Sequence, residues 1–236
     1  MTPSETPPRG GPQQIPRPAQ HRVGAVAPWA SLAPEDRNVD LPHLVERLAA
    51  AGPALPSPRE GQVARASAVL APLYEHDGQP WVVLTRRSAA LRVHSGEVSF
   101  PGGVREAGED LARTALREAG EEIGLDPSTV DIVGELDHLS TITSNSFIVP
   151  YVGVLPGRPI LSPSPAEVDA VLHVPLAELL EPDHFREERW DVFGVERPIW
   201  FFELVGDTVW GATAAMLRQL LGLATGTVAR GQLGHL

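Results

Sequence analysis

Residues 102–124 constrain the fold more than any other stretch. Gly102-Gly103 follows Phe100-Pro101 and makes a tight bend. Ala112, Ala115, Leu116, Ala119 and Ile123 then recur at helical spacing, and Gly124 supplies a stop. This predicts a helix over 109–123 whose alanines let it lie close on a sheet. Residues three and four apart are neighbours on a helix, so Glu118, Glu121 and Glu122 project together. Like charges at such spacing oppose a helix by roughly 0.2–0.5 kcal/mol per pair. A solvated acidic face accounts for the glutamates but not for the glycine bend, Glu109 or Arg117. A site for a hard divalent cation, Mg²⁺ or Mn²⁺, accounts for the carboxylates and also suits a chemistry that must neutralise phosphate charge.

The 236 residues suffice for one well-packed domain, and 42% hydrophobic with 21% charged residues is globular composition. A formal charge of −11 and a pI near 5.1 argue against nonspecific nucleic-acid binding, which rests on Lys and Arg neutralising phosphates. An anionic substrate then needs a locally positive or metal-loaded pocket. There is no cysteine, which excludes disulfides, thiolate zinc sites and a Cys nucleophile and fits a reducing, cytoplasmic setting. No signal peptide is visible at the N-terminus. The most apolar late stretch, 209–228, is broken by Arg218, Gln219 and glycines, so it reads as an amphipathic helix and tail, not a membrane span.

Residues 1–35 are rich in Pro, Gly and Gln and are expected to be disordered, with Trp29 the one residue suited to docking on the body. Residues 36–62 read as a short helix near 42–51, carrying Leu44, Val45 and Leu48, followed by a linker. Residues 63–222 form the folded body and 223–236 a flexible tail. Within the body, strands are expected over 68–74 and 81–84 across an Asp77-Gly78 turn, then over 130–136, 147–155, 170–174 and 198–204. Residues 85–98 read as a long polar connection, and further helices start at Pro175 and cover 212–221. The fold class is α/β, a sandwich with helices on both faces of a mixed sheet.

Gly103, Glu109, Arg117-Glu118, Glu121-Glu122 and Gly124-Leu125 are spaced as in the Nudix box. Any seven of these eight positions coincide by chance on the order of 10⁻⁸ to 10⁻⁹ per start site. The chain therefore resembles the Nudix hydrolases, and the resemblance implies their α/β/α sandwich. It also implies roles: Glu118 and Glu122 as principal metal ligands, Glu121 as a third ligand to metal or its water, and a backbone carbonyl at Gly102 or Gly103 beside them. Glu109 and Arg117 resemble a structural pair that orients the loop on the helix, and Gly124 ends that helix. The general base of this superfamily comes from a box glutamate, here Glu118 or Glu121, or from a carboxylate on a distant loop. Glu167, within Ser164–Asp169, is the distal candidate; an ordinary exposed glutamate fits that sequence equally well.

Just before the box, Leu84-Thr85-Arg86-Arg87-Ser88, Arg92, Gly96 and Phe100-Pro101-Gly102-Gly103 are similar to the signature of the coenzyme A pyrophosphatase branch. Val209 to Ala214 resembles the same branch, and the likeness spans roughly 64–221. It implies hydrolysis of coenzyme A or a derivative to 3′,5′-ADP and 4′-phosphopantetheine. The ribose 3′-phosphate calls for cations outside the metal site, and Arg87 and Arg92 suit bidentate phosphate contacts. Ser88 and His94 belong to the same substrate-side group, although for His94 bracing the loop by hydrogen bonds is the preferred reading. His138 is expected in a solvent-exposed turn. The partner implied is a small molecule, with no nucleic acid and no membrane, and analogy implies a homodimer. Two rival readings are a Nudix hydrolase for ADP-ribose, NADH or a dinucleoside polyphosphate, and a non-catalytic nucleotide-sensing module.

Overall fold

The computed structural model describes residues 8–57, 65–91, 94–141 and 146–232. Its elements run β1 (Arg22–Val23), α1 (Leu41–Ala50), β2 (Arg65–His76), β3 (Gln79–Arg87), β4 (Val98–Ser99), β5 (Gly102–Val104) and α2 (Leu111–Ile123). There follow β6 (Asp131–Glu135), β7 (Leu139–Thr141), β8 (Ser146–Val154), β9 (Val168–Pro175) and α3 (Leu176–Leu179). β10 (Phe185–Val192), β11 (Val195–Leu204), β12 (Asp207–Trp210) and α4 (Gly211–Thr225) complete the chain.

Strand parity builds the sandwich. Successive side chains of β2 point to opposite faces, so Ala68, Leu70 and Tyr74 meet Ala115, Ala119 and Ile123 of α2, while Ala71 and Leu73 meet α1 and α4 through Leu44, Leu48, Leu217 and Leu220. β2 is central: it pairs in parallel with β8 and antiparallel with both β3 and β5. Asp77 (φ 53°) and Gly78 (φ 72°) close the β2–β3 turn in the left-handed conformation that a two-residue hairpin requires. The mixed sheet with helices on both faces is the expected α/β architecture.

Several boundaries differ from the reading of the sequence. The expected polar connection over 85–98 is partly sheet: β3 runs to Arg87, pairs with β9 along one side, and meets β4 on the other. A second, antiparallel sheet of order β1-β10-β11-β12 was not foreseen in full. β10 hides because its sequence, FREERWDV, carries charge on both faces. Glu187 and Glu188 are nevertheless buried, since Trp200 Nε1 donates to Glu187 at 2.8 Å and Trp190 Nε1 to Glu188 at 2.7 Å.

The N-terminal segment is the main correction. Residues 8–35 were expected to be disordered for want of apolar surface, yet they lie on the second sheet as a strap. Gly10 N and Gly24 N each donate 2.7 Å bonds, to Leu204 O and Glu187 O. Arg17 Nε donates to Glu188 at 2.9 Å, and β1 pairs with β10. Trp29 is fully buried between Phe185 and Phe202, with centroids at 5.6 and 6.2 Å. The strap succeeds by borrowing donors, acceptors and one aromatic socket from the body. The C-terminal tail is likewise held: α4 continues to Thr225, Val228 is buried, and Gly231 N donates to Asp137 at 2.7 Å. His138, expected in solvent, is only 13% exposed and its Nε2 lies 3.2 Å from Glu135. Residues 1–7, 58–64, 142–145 and 233–236, on which parts of the domain reading fall, lie outside the described residues, as does Arg92. No helix among the described residues is long and apolar enough to cross a membrane.

A Trp lost from a buried aromatic socket leaves a large cavity. Trp29→Ala is therefore expected to lower the unfolding free energy by about 3–5 kcal/mol, read by urea denaturation, although it sits in the Pro-rich head.

Candidate active site

The local chemistry of α2 sets the site. Asp110 caps the helix, its Oδ1 accepting from Arg113 N at 2.8 Å. The helix thus starts at Leu111, later than expected, and Glu109 stays outside it with its carboxylate free to be bound sideways. At the other end Gly124 takes the left-handed cap (φ 68°). Ser162 N and Ser164 N donate to the carbonyls of Ile123 and Glu122 at 2.9 and 2.8 Å, docking the 162–167 loop on the end of the helix.

The bend at Gly102–Gly103 belongs to β5 and lies against both β2 and the helix. A Cβ on Gly102 would sit 2.6 Å from Val69 Cα, and one on Gly103 would sit 2.6 Å from Glu118 Oε1. Only glycine at 103 leaves room for a carboxylate packed directly on the backbone. Gly102 N donates to Glu122 Oε2 at 3.1 Å.

Arg117 is the hub of this region. Its Nε donates to Glu109 Oε1 at 3.1 Å, its Nη1 reaches Glu121 at 2.8 Å, and its Nη2 reaches Glu118 at 2.9 Å and Val104 O at 3.2 Å. Glu109 also accepts from Thr114 Oγ1 at 2.8 Å. The Arg117 hydrogen bond is the main cause that holds the Glu109 carboxyl down at about 2, and the Glu109 partnership holds the Arg117 guanidinium above its usual range. The expected pairing of Glu109 with Arg117 is present, and it extends to the metal-ligand candidates.

The remaining carboxylates are strained electrostatically. Burial pushes the Glu122 carboxyl up to about 7 against the opposing Gly102 N–H and the Arg87 charge, and the charges of Glu118 and Glu167 add to the rise. Burial likewise raises Glu118, against Arg117, with Glu121 and Glu167 adding. Glu167 therefore faces the same space from its loop, where its backbone O accepts from Ser88 N at 2.8 Å. No three His, Cys, Asp or Glu among the described residues are already gathered as a metal cage, because Arg117 holds Glu118 and Glu121 while Glu122 turns to Gly102 and Arg87. The donor set nonetheless fits a hard divalent cation: carboxylates raised chiefly by burial and further by one another's charge, beside a glycine cradle that any Cβ would fill.

Beside this helix lies a cleft of about 370 Å³, walled by Gly102, Gly103, Arg87, His94 and Arg65. Arg87 Nη1 lies 3.5 Å from Glu122 Oε1, so it lines the cleft while facing the helix. His94 (φ 57°) lines the cleft too, with Nδ1 2.8 Å from Glu97 Oε2, which makes it a brace as well as a wall. Ser88, expected on the substrate side, is a correction. It is 4% exposed, and its Oγ accepts from Ala90 N within its own loop. Arg65 was missed; a cation at the head of a strand carries no motif, and only the fold brings it to the cleft.

The chain is similar to known proteins over much of its length. Residues 64–193 match the NUDIX domain family model. Nudix hydrolase 22, chloroplastic, of Arabidopsis thaliana is 43% identical over 64% of this chain and 52% of its own length, so the chain spans about half of that relative. The uncharacterized Nudix hydrolase NudL of Photorhabdus laumondii is 36% identical over 66% of this chain and 83% of its own. The crystal structure of a MutT/nudix family protein from Enterococcus faecalis is 16% identical, with a TM-score of 0.46, over 66% of this chain and 60% of that one.

Two outcomes follow from the geometry. Gly103→Ala displaces a flexible carboxylate rather than backbone, so the variant should keep the wild-type thermal midpoint yet lose roughly 10- to 100-fold in divalent-metal affinity, measured by calorimetric titration. Glu109 has a folded pKa near 2 against an ordinary 4.5. Its contribution to stability is therefore complete above about pH 4.5 and is lost as pH falls through 2. The stability gap between wild type and Glu109→Gln should close over that window in acid-denaturation curves.

Proposed function

The chain belongs to the Nudix family, and on that premise we propose that it is a metal-dependent pyrophosphohydrolase of coenzyme A or a derivative. The observation that carries this reading is the shared cleft: Arg87, from the coenzyme A-like signature, and the nearby His94 line it together with Gly102 and Gly103, beside the glutamate helix. The volume lies within the roughly 300–1,000 Å³ common for small-ligand sites.

Water adds to one phosphorus of the diphosphate, the P–O bond to the bridging oxygen breaks, and the products are 3′,5′-ADP and 4′-phosphopantetheine, acylated when the substrate was. Glu118 and Glu122, with Glu121 at the rim and a carbonyl of Gly102 or Gly103, would hold Mg²⁺ or Mn²⁺. Such a cation neutralises phosphate oxygens and lowers the pKa of bound water. Arg117 ties Glu118 and Glu121 to the bend through the contacts described above, and these carboxylates would turn from the guanidinium toward the cation when it binds. We assign the water's proton to Glu167, whose charge bears on both Glu118 and Glu122 and whose side chain makes no hydrogen bond or ion pair among the described residues. Arg87 supplies a planar cation for phosphate oxygens in a chain that is otherwise strongly acidic.

Two measurements test this. With Mg²⁺ or Mn²⁺ present, kcat/KM for coenzyme A should exceed that for dephospho-coenzyme A by about 10- to 100-fold, the worth of one lost charge-assisted contact. Faster turnover of ADP-ribose or NADH would transfer the assignment to those substrates. Glu122→Gln should lower kcat by at least about 100-fold with its fold retained by circular dichroism. Full activity in both Glu121→Gln and Glu122→Gln would refute the metal assignment.

A further inference from the structure

The two arginines that end β3 face in opposite directions. Arg87 turns to Glu122 on α2, whereas Arg86 Nη1 lies 3.2 Å from both carboxylate oxygens of Asp207, a residue only 3% exposed. Asp207 Oδ1 accepts a second donor from the N-terminal strap, Gln13 Nε2 at 2.7 Å. The same amide nitrogen donates to Gly96 O at 3.2 Å, and Gln13 Oε1 accepts from Thr208 N at 2.8 Å. One side chain thus satisfies groups on β12 and on the turn that precedes β4.

That turn carries the cleft wall. Arg87 N donates to Glu97 O at 2.9 Å and Gly96 N to Arg87 O at 3.1 Å, closing the loop between them. Glu97 in turn holds His94 through its carboxylate. A displacement of Gly96 therefore moves both Arg87 and His94. The strap has no slack with which to follow: a Cβ on Gly11 would meet Gly206 O at 2.7 Å, so the chain lies flat on the β11–β12 turn. Only a carboxamide offers two donors to two acceptors and an acceptor to a backbone N–H at this point. A glutamate would set oxygen against Asp207 and against the Gly96 carbonyl.

We propose that Gln13 is a positioning residue that holds the Arg87–His94 wall of the cleft in register with the substrate's phosphates. This rests on reading Arg87 as a phosphate contact. The Pro-rich head is then part of the site's framework, acting through Gly96 and not by touching substrate.

The test uses the full chain with Gln13→Ala and Gln13→Glu, and Arg17→Ala as the comparison. Arg17 ties the same strap to Glu188, away from the cleft. Steady-state kinetics with coenzyme A and amide hydrogen exchange at Gly96 and Glu97 are read together. Both Gln13 variants should raise KM about fivefold or more, the equivalent of one hydrogen bond, with kcat within about twofold, and should speed exchange at both amides. Arg17→Ala should change neither, whatever it does to the melting temperature. Equal effects from Arg17→Ala, or exchange at Gly96 unchanged in Gln13→Ala, would overturn the proposal. Faster exchange with an unaltered KM would overturn it as well, while leaving the hydrolase reading intact. Were the wild type inactive on coenzyme A, that reading would fail, and the exchange comparison alone would decide the positioning role.

Discussion

One guanidinium organises the candidate site. Arg117 lies between the Glu109 carboxylate, the Val104 carbonyl and two of the three helix glutamates, so it ties the glycine bend, the approach to α2 and α2 itself into one unit. A lysine could supply the charge but not the planar fork that meets these acceptors in different directions. The interaction is strong because Glu109 is bound both by the arginine and by Thr114, outside the helix where its carboxylate can turn sideways. Everything else in the site is built on that fixed geometry: Glu118 rests on Gly103, and Glu122 reaches Gly102.

The chain's charge makes this arrangement necessary. With a net charge of −11, long-range electrostatics disfavour an anionic ligand. The acids of α2 worsen this locally: burial raises the Glu118 and Glu122 carboxyls, and the neighbouring carboxylate charges add to the rise. The proposed divalent cation would relieve it, and Arg87 and Arg65 line the cleft beside the helix. In the proposed function, attraction would be concentrated in this cleft, which would favour ligands that present phosphate oxygens there over extended polyanions.

The second sheet and its strap solve a different problem. Glu187 and Glu188 are adjacent on β10, so they face opposite sides, and both are buried. Each costs desolvation unless fully bonded, and each is met by an indole N–H and an arginine, with the strap contributing Arg17 to one and the Ala25 N–H to the other. Removing the strap would leave partly unpaired acids, so the head and the sheet depend on one another.

The features legible in the sequence are those encoded over a few residues. The α2 stripe, its glycine stop, the common face of Glu118, Glu121 and Glu122, the Asp77-Gly78 hairpin and the alternation along β2 all follow from periods of 3.6 and 2 and from glycine's freedom at positive φ. They were enough to specify the α/β sandwich and the carboxylate helix. Tertiary structure decided what depends on partners distant in the chain: that residues 8–35 pack, that a charged segment becomes β10, that Ser88 builds its loop, and that Arg65 and Gln13 come near the cleft. No local pattern marks these. A proline-rich strand of chain has little apolar surface of its own, and whether it orders is settled by the acceptors, donors and aromatic socket that another part of the molecule offers it.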